Sequence, residues 1–323
     1  MVHNSMCCRD LSSGATLTLT PRDPYTSGMS PAFRALSACL VIASTGMVSA
    51  QAPPGADARS REIYVSAVDR QGAPVMGLTT ADFTVKEDGV VREVLDVKPA
   101  TDPLQIAVLI DDSAAATDAV SFLRDGLAAF LERMRGHAEI ALITTGERPT
   151  VLTQYTSDNE VLTDKAKRLF ARPNSGAYLL EALVDVSRGM AKREAKRPVI
   201  LAITFENGPE YSNQHYENVL RDLQKSGAAL HVIAIGTPSS SLNDEMRNRG
   251  QVLSEGTSRT GGRRDQVLSN SGIPDKLKQA ADELLNQYVV TYGRPDKLIP
   301  PEKISVTSSR PNVTVRARTR ADR

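Results

Sequence analysis

Four short and almost uninterrupted apolar runs constrain the fold of this chain more than any other feature. They are residues 104–110 (LQIAVLI), 138–144 (AEIALIT), 199–204 (VILAIT) and 229–235 (ALHVIAI). Strands that are buried on both faces have this composition, and they occur in parallel sheets that helices cover on both sides. Between and after the runs, apolar residues recur at helical spacing. This alternation predicts an open, doubly wound, mostly parallel α/β sheet over residues 101–286.

The two ends of the mature chain are expected to be β structure. Over residues 61–100, apolar and polar residues alternate around Glu87-Asp88-Gly89, and Asp-Gly between two β-prone runs is a strong hairpin signal. Short β-prone runs return over 287–323, separated by turns that carry Pro and Lys. We expect these last strands to pair with the first ones, so that a small β module contains both ends of the chain.

The first fifty residues predict a targeting segment. Residues 29–50 combine a positive charge at Arg34, a short apolar run and a small-x-small ending, which is the layout of a signal peptide cleaved after Ala50. The apolar run is too short to span a bilayer, and no transmembrane span is expected in the mature chain. Residues 1–28 are interpreted as an upstream extension and 51–60 as a linker. A lipoprotein box at Cys39 ranks lower, because the apolar stretch follows the cysteine.

Composition excludes several classes of function. All three cysteines precede Ala50, so a chain cleaved there has no thiol for catalysis, metal binding or disulfides. A formal net charge of +1 with 4% aromatic residues argues against nucleic-acid binding. The sequence has no nucleophile elbow, dinucleotide fingerprint or phosphate-binding loop.

Two further segments have structural interpretations. His231 lies within an apolar run and is predicted to be a core residue. The segment Gly261-Gly262-Arg263-Arg264 is predicted to be a solvated turn.

Several motifs resemble those of the von Willebrand factor type A domain and of secreted bacterial proteins in which a β segment precedes it. Asp111-Asp112-Ser113-Ala114-Ala115 follows the first apolar run, where that family carries Asp-x-Ser-x-Ser. Further segments extend the resemblance over about residues 60–320: 74–79, 82–85 and 87–89 near the start, and Thr260-Gly261-Gly262, Gln287-Tyr288 with Tyr292, and Val315-Arg316-Ala317-Arg318 near the end. The resemblance implies a divalent cation held by oxygens of three loops, with an open position for a carboxylate of a partner protein.

The chain departs from that ligand pattern. Asp111 and Ser113 match, but Ala115 and Ala177 stand where the family has hydroxyl residues, and Thr204-Phe205-Glu206 replaces the third-loop Thr-Asp. Alanine supplies no oxygen, whereas Mg²⁺ requires a near-octahedral oxygen shell. No bound cofactor is expected, and the partial site at Asp111, Ser113 and Glu206 would hold Mg²⁺ or Mn²⁺ weakly at most.

These observations predict a secreted or periplasmic, non-catalytic protein that binds a protein partner still to be identified. The expected contact residues are Asp111, Asp112, Ser113, Tyr178, Glu206 and Tyr211. One alternative is a metal-dependent adhesin that uses the partial site. A second is a hydrolase with Asp111 and Asp112 as an acid/base pair, although adjacent residues at a strand end point apart.

Overall fold

The computed structural model describes residues 60–238, 243–294 and 300–320. Its strands form three sheets. They are β1 (Ser60–Val68), β2 (Phe83–Glu87), β3 (Val90–Arg92), β4 (Val94–Pro99), β5 (Leu104–Ile110), β6 (Ala138–Thr144), β7 (Thr150–Thr156), β8 (Arg197–Phe205), β9 (Ala229–Ile235), β10 (Arg264–Val267), β11 (Tyr288–Gly293), β12 (Ile304–Ser308) and β13 (Thr314–Ala317).

The central sheet has six strands in the order β10-β9-β8-β5-β6-β7. Five strands are parallel, and only the edge strand β7 runs antiparallel to its neighbour β6. All four strands predicted from the apolar runs are present. The chain order reverses next to β5, so the loops that follow β5 and β8 meet at the point where ligands bind in open α/β sheets.

Six helices cover the two faces of this sheet. They are α1 (Val120–Met134), α2 (Asn159–Lys167), α3 (Leu179–Arg193), α4 (Tyr216–Ser226), α5 (Asp244–Thr260) and α6 (Ile273–Leu285). Helices α1, α2 and α6 bury their apolar residues on one face, and α3, α4 and α5 bury theirs on the other. The doubly wound, mostly parallel architecture predicted from the sequence is therefore confirmed.

The small β module is built from both ends of the described chain. Strand β1 lies between β13 and β11 in one antiparallel sheet, and β12 pairs with β2 in another. A third core cluster, which includes Val65, Phe83, Val85 and Val290, fills the space between the two sheets. The predicted hairpin is present at Asp88-Gly89, where both residues have positive φ angles, of 48° and 84°.

Two tyrosines connect motifs that lie far apart in the sequence. Tyr288 on β11 donates a hydrogen bond to the Val75 carbonyl at 2.8 Å and accepts one from the Leu78 N–H at 3.3 Å. Tyr292 donates to the buried carboxylate of Glu87 at 3.0 Å. The segments that carry the sequence resemblance at the two ends of the chain are thus in direct contact.

The predicted signal peptide, the Cys39 lipoprotein box, the 1–28 extension and most of the 51–60 linker lie outside the described residues. Within the described ranges, no helix is long and apolar enough to cross a membrane. His231 is buried in β9, as predicted.

Candidate functional site

Three loops meet at the carboxyl ends of the central strands, and we call their common surface the loop face. Loop 1 is residues 111–119, loop 2 is residues 168–178 and loop 3 is residues 206–215. Loop 1 follows β5, loop 2 precedes α3 and loop 3 follows β8. All six contact residues expected from the sequence lie on these three loops.

Asp111 fastens loop 1 to the end of β8. Its side chain is fully buried, and its carboxylate accepts N–H bonds from the backbone of Ser113 at 3.0 Å and of Phe205 at 3.3 Å. Burial raises the pKa of Asp111, while these hydrogen bonds and the charge of Arg249 act in the opposite direction. Ser113, also fully buried, stands at the start of a 3₁₀ turn that leads into α1.

Asp112 fastens loop 1 to loop 2. Its carboxylate accepts a 2.7 Å bond from the Gly146 N–H and a 2.8 Å bond from Arg172 Nε. Its backbone carbonyl also accepts a 2.8 Å bond from the Arg172 N–H. A side chain at position 146 would lie 2.6 Å from the Asp112 carboxylate, so only glycine fits there. Asp111 and Asp112 therefore have separate hydrogen-bond partners.

The backbone of Ala177 connects loop 2 to loop 3 by two hydrogen bonds. Its N–H donates to the Pro209 carbonyl at 2.9 Å, and its carbonyl accepts from the Tyr211 N–H at 2.8 Å. Its methyl group is fully buried. The third contact is between loops 1 and 3, where a methyl group added at Gly208 would come within 3.0 Å of Ala115 Cβ. The three loops are thus in direct contact with one another.

Glu206 is turned away from loop 1. It is buried, and its carboxylate pairs with Arg264 at the start of β10. The expectation that Gly261-Gly262-Arg263-Arg264 is a solvated turn is therefore wrong. Both glycines are buried, and Arg263 pairs with Glu283 and Asp265. The sequence pattern does not reveal the pairs with Glu206 and Glu283, because these two carboxylates lie on other elements.

Glu210 and Ser212 are two further buried residues of loop 3, which the sequence patterns did not reveal. Glu210 is fully buried and accepts a 3.0 Å bond from the N–H of Leu179, while Ser212 Oγ accepts a 3.0 Å bond from the N–H of Leu180. They satisfy the free N–H groups at the start of α3. One sequence signal for these caps is the residue at the N-cap of α3, which is Tyr178. Ser, Thr, Asp and Asn are preferred at that position because their side chains accept the free N–H groups, so a tyrosine there indicates that other residues must accept them.

Arg249 places a buried positive charge beneath loop 3. Its side chain extends from α5 and is 3% exposed. The guanidinium donates to the backbone carbonyls of Glu206 and Gly208, both at 3.2 Å, and lies 3.8 Å from the Glu210 carboxylate. Burial raises the pKa of Glu210 to about 7, with the charge of Asp111 adding to the rise and that of Arg249 opposing it.

The donor set at the loop face does not fit a divalent cation of the type A kind. Positions 115 and 177 supply only methyl groups, and Glu206 is paired with Arg264. In the part of the chain that the structure describes, no group of three or more His, Cys, Asp or Glu side chains could hold a metal ion. The buried hydroxyls of Ser113, Thr145 and Thr204 have no hydrogen-bond partner there, and groups of this kind are ordinarily satisfied by ordered water.

Aromatic side chains are the most exposed apolar groups of the loop face. Tyr211 is 52% exposed, and Phe170 on loop 2 is 61% exposed. The ring of Tyr211 lies against Gly176 and meets the half-buried Tyr178 edge-on, with ring centroids 6.1 Å apart. The Arg172 guanidinium lies 5.7 Å from the Phe170 ring centroid. Of the six expected contact residues, Tyr211 is exposed, Tyr178 is half-buried and the four others are buried.

No protein-family model matches the chain, and no curated protein is similar to it in sequence. Its fold is similar to solved von Willebrand factor type A structures. The vWF domain of the type V pili tip protein of Porphyromonas gingivalis is 12% identical, with 57% of this chain and 96% of that chain covered and a TM-score of 0.43. The type A protein from Catenulispora acidiphila is 13% identical, with 76% and 73% covered and a TM-score of 0.46.

A third similar structure is proximal thread matrix protein 1 from the mussel byssus, which has a zinc occupied MIDAS motif. It is 13% identical, with 61% of this chain and 50% of that chain covered and a TM-score of 0.46. The similar structures include type A domains, as the sequence motifs indicate.

Proposed function

We propose that this chain is a non-catalytic protein-binding module whose loop face recognises its partner without a divalent cation. The observation that carries the proposal is the position of Tyr211. It is a half-exposed aromatic side chain held against Gly176 and Tyr178, above three loops that contact one another. Tyrosine is enriched at interface centres because a rigid ring offers large contact area at low entropic cost.

The buried carboxylates argue for the same mode of binding. A metal-dependent adhesin needs oxygens directed at the ion, but both oxygens of Asp111 accept backbone N–H bonds and Glu206 is paired with Arg264. A hydrolase needs a carboxyl that reaches substrate, but Asp111 is fully buried and Asp112 is bound by Arg172 and Gly146. We therefore place contact with the partner at Tyr211, Tyr178 and Phe170, with the acidic residues as internal supports.

We infer that this module acts outside the cytoplasm. The inference rests on the signal-peptide pattern that ends at Ala50 and on the absence of cysteine after Cys39. Mature protein recovered from the envelope or medium with Gln51 at its N-terminus would support it. Retention of the uncleaved chain in the cytoplasm would contradict it.

The binding proposal can be tested with variants at exposed apolar positions. Immobilised wild type, Tyr211→Ser and Val91→Ser are incubated with an envelope extract of the source organism, once with EDTA and once without it. Val91 is the matched control because it is 62% exposed and lies on β3 of the β module. We expect one protein to be retained by wild type and Val91→Ser and to be lost from Tyr211→Ser. Equal retention by all three, or retention abolished by EDTA, would contradict the proposal.

A further inference from the structure

The loop face contains two buried carboxylates close to one buried guanidinium. Asp111 lies at the end of β5 and Glu210 lies on loop 3, and both are fully buried. The charge of Asp111 raises the pKa of Glu210, and the charge of Arg249 acts to lower the pKa of both carboxyl groups. Buried charges are costly unless they are paired and hydrogen-bonded. The arrangement therefore requires a positive charge at this place.

We propose that the guanidinium of Arg249, rather than a divalent cation, neutralises the buried carboxylate of Glu210 and ties loop 3 to α5 from inside the protein. Its geometry suits this role. One nitrogen donates to the carbonyl of Gly208 and approaches Glu210, while the other donates to the carbonyl of Glu206. A guanidinium presents several donors in a fixed plane and keeps its charge at every physiological pH.

The consequence for the binding surface follows from the path of loop 3. Tyr211 is the next residue after Glu210, and its N–H is hydrogen-bonded to Ala177 on loop 2. By fixing Glu206, Gly208 and Glu210, Arg249 also fixes the segment that presents Tyr211. Arg249 is therefore a positioning residue. The inference deepens the proposed function, but it concerns the isolated protein and is tested without the partner.

A double-mutant cycle separates the charge of Arg249 from its packing. Wild type, Arg249→Met, Glu210→Gln and the double variant are compared by thermal unfolding at pH 8 in EDTA. We expect Arg249→Met to lower the Tm by about 10 °C, because it leaves a buried carboxylate unpaired. The double variant should recover at least half of that loss, because no unpaired carboxylate then remains at position 210. Arg249→Lys, which keeps the charge, should lie between Arg249→Met and wild type.

Arg188→Met is the matched control. Arg188 also forms an ion pair with a carboxylate on a neighbouring helix, but its side chain is 63% exposed. We expect its Tm to stay within about 2 °C of wild type. Hydrogen exchange should be faster over residues 205–211 in Arg249→Met and unchanged in Arg188→Met.

Three results would overturn the proposal. They are a Tm of Arg249→Met equal to that of Arg188→Met, a double variant no more stable than Arg249→Met, and unchanged hydrogen exchange over residues 205–211. If Arg249→Met does not fold, a folded double variant supports the proposal and an unfolded one contradicts it. Absence of a Tyr211-dependent partner would overturn the proposed function and leave this cycle unaffected.

Discussion

At the scale of single residues, Ala115 and Ala177 and the buried ion pairs determine the chemistry of the loop face. The alanines remove two oxygens that the type A pattern supplies, and the backbone of Ala177 instead clamps loops 2 and 3. Glu206 and Glu210 keep negative charge in the region, but arginines of other elements neutralise it. The result is a polar interior in which the charges are compensated by protein groups.

The titration of Glu210 makes the stability of the folded protein depend on pH, and the direction of that dependence follows from its raised pKa. Its pKa is about 7 in the folded protein against an ordinary value of 4.5. Between these values the folded state keeps a proton that the unfolded state has lost, so stability falls as the pH rises from about 4.5 to about 7. At 1.36 kcal/mol for each pH unit, the loss is about 3 kcal/mol.

Glu210→Gln should remove this part of the pH dependence, because glutamine does not titrate and its oxygen can still accept the Leu179 N–H. Urea unfolding of both proteins at pH 5 and pH 8 is the measurement. The unfolding free energy of the variant relative to wild type should rise by about 3 kcal/mol between the two pH values. An unchanged difference would show that Glu210 titrates normally.

At the scale of secondary-structure elements, the strands and helices that carry an apolar pattern could be predicted from the sequence. Strands β5, β6, β8 and β9 and helices α1, α3, α4 and α6 were readable in this way, whereas α5 and the edge strands β7 and β10 were not. The buried face of α5 consists of Arg249, Val252, Leu253, Gly256, Thr257 and Thr260. Half of those residues are polar, so no apolar stripe marks the helix.

The missed helix explains why the main site residue was also missed. Arg249 lies on α5, and its role depends on carboxylates of loops 1 and 3 that are distant in the sequence. By contrast, the sequence alone shows that Ala115 and Ala177 depart from the ligand pattern. Ala115 can be aligned with that pattern because it follows a predictable strand, and Ala177 because it precedes a predictable helix. Other signals of α5 were available, namely Asn243 before two acidic residues and Gly261 after the last turn.

Two glycines should respond oppositely to the same substitution. A methyl group at Gly262, just after α5, would lie 1.8 Å from the Leu230 carbonyl oxygen, whereas one at Gly189 in α3 would meet nothing within 4 Å. Gly262→Ala should therefore destabilise the protein by more than about 3 kcal/mol. Gly189→Ala should stabilise it by about 1 kcal/mol, since alanine favours helix. Urea unfolding checks both, and equal midpoints for the two variants would contradict the described packing.

At the scale of the whole molecule, Arg197 connects the central sheet to the β module. It stands at the start of β8 and is buried. Its guanidinium donates to the carbonyls of Ala100 and Asp102 before β5, and to Leu284 and Gln287 at the junction of α6 and β11. The Glu283 carboxylate on α6, which accepts from Arg316 on β13 and from Arg263, provides a second connection.

Arg197→Met should weaken both parts of the molecule together. The substitution leaves four buried or partly buried acceptors without their donor, so we expect a loss of about 3 kcal/mol or more in the free energy of unfolding. The measurement is unfolding in guanidinium chloride, followed by circular dichroism. Lys196→Met is the control, because the Lys196 side chain is 77% exposed. A loss below about 1 kcal/mol would show that Arg197 does not connect the two parts.

The most direct test of the whole account is thermal unfolding of the EDTA-treated wild-type protein as Mg²⁺ or Mn²⁺ is added to millimolar concentration. A loop face assembled by its own hydrogen bonds and by Arg249 predicts no change in Tm beyond that of NaCl at equal ionic strength. A saturable rise would contradict the account. A cation present at about 100 times its dissociation constant would add about 2.7 kcal/mol, or several degrees in Tm.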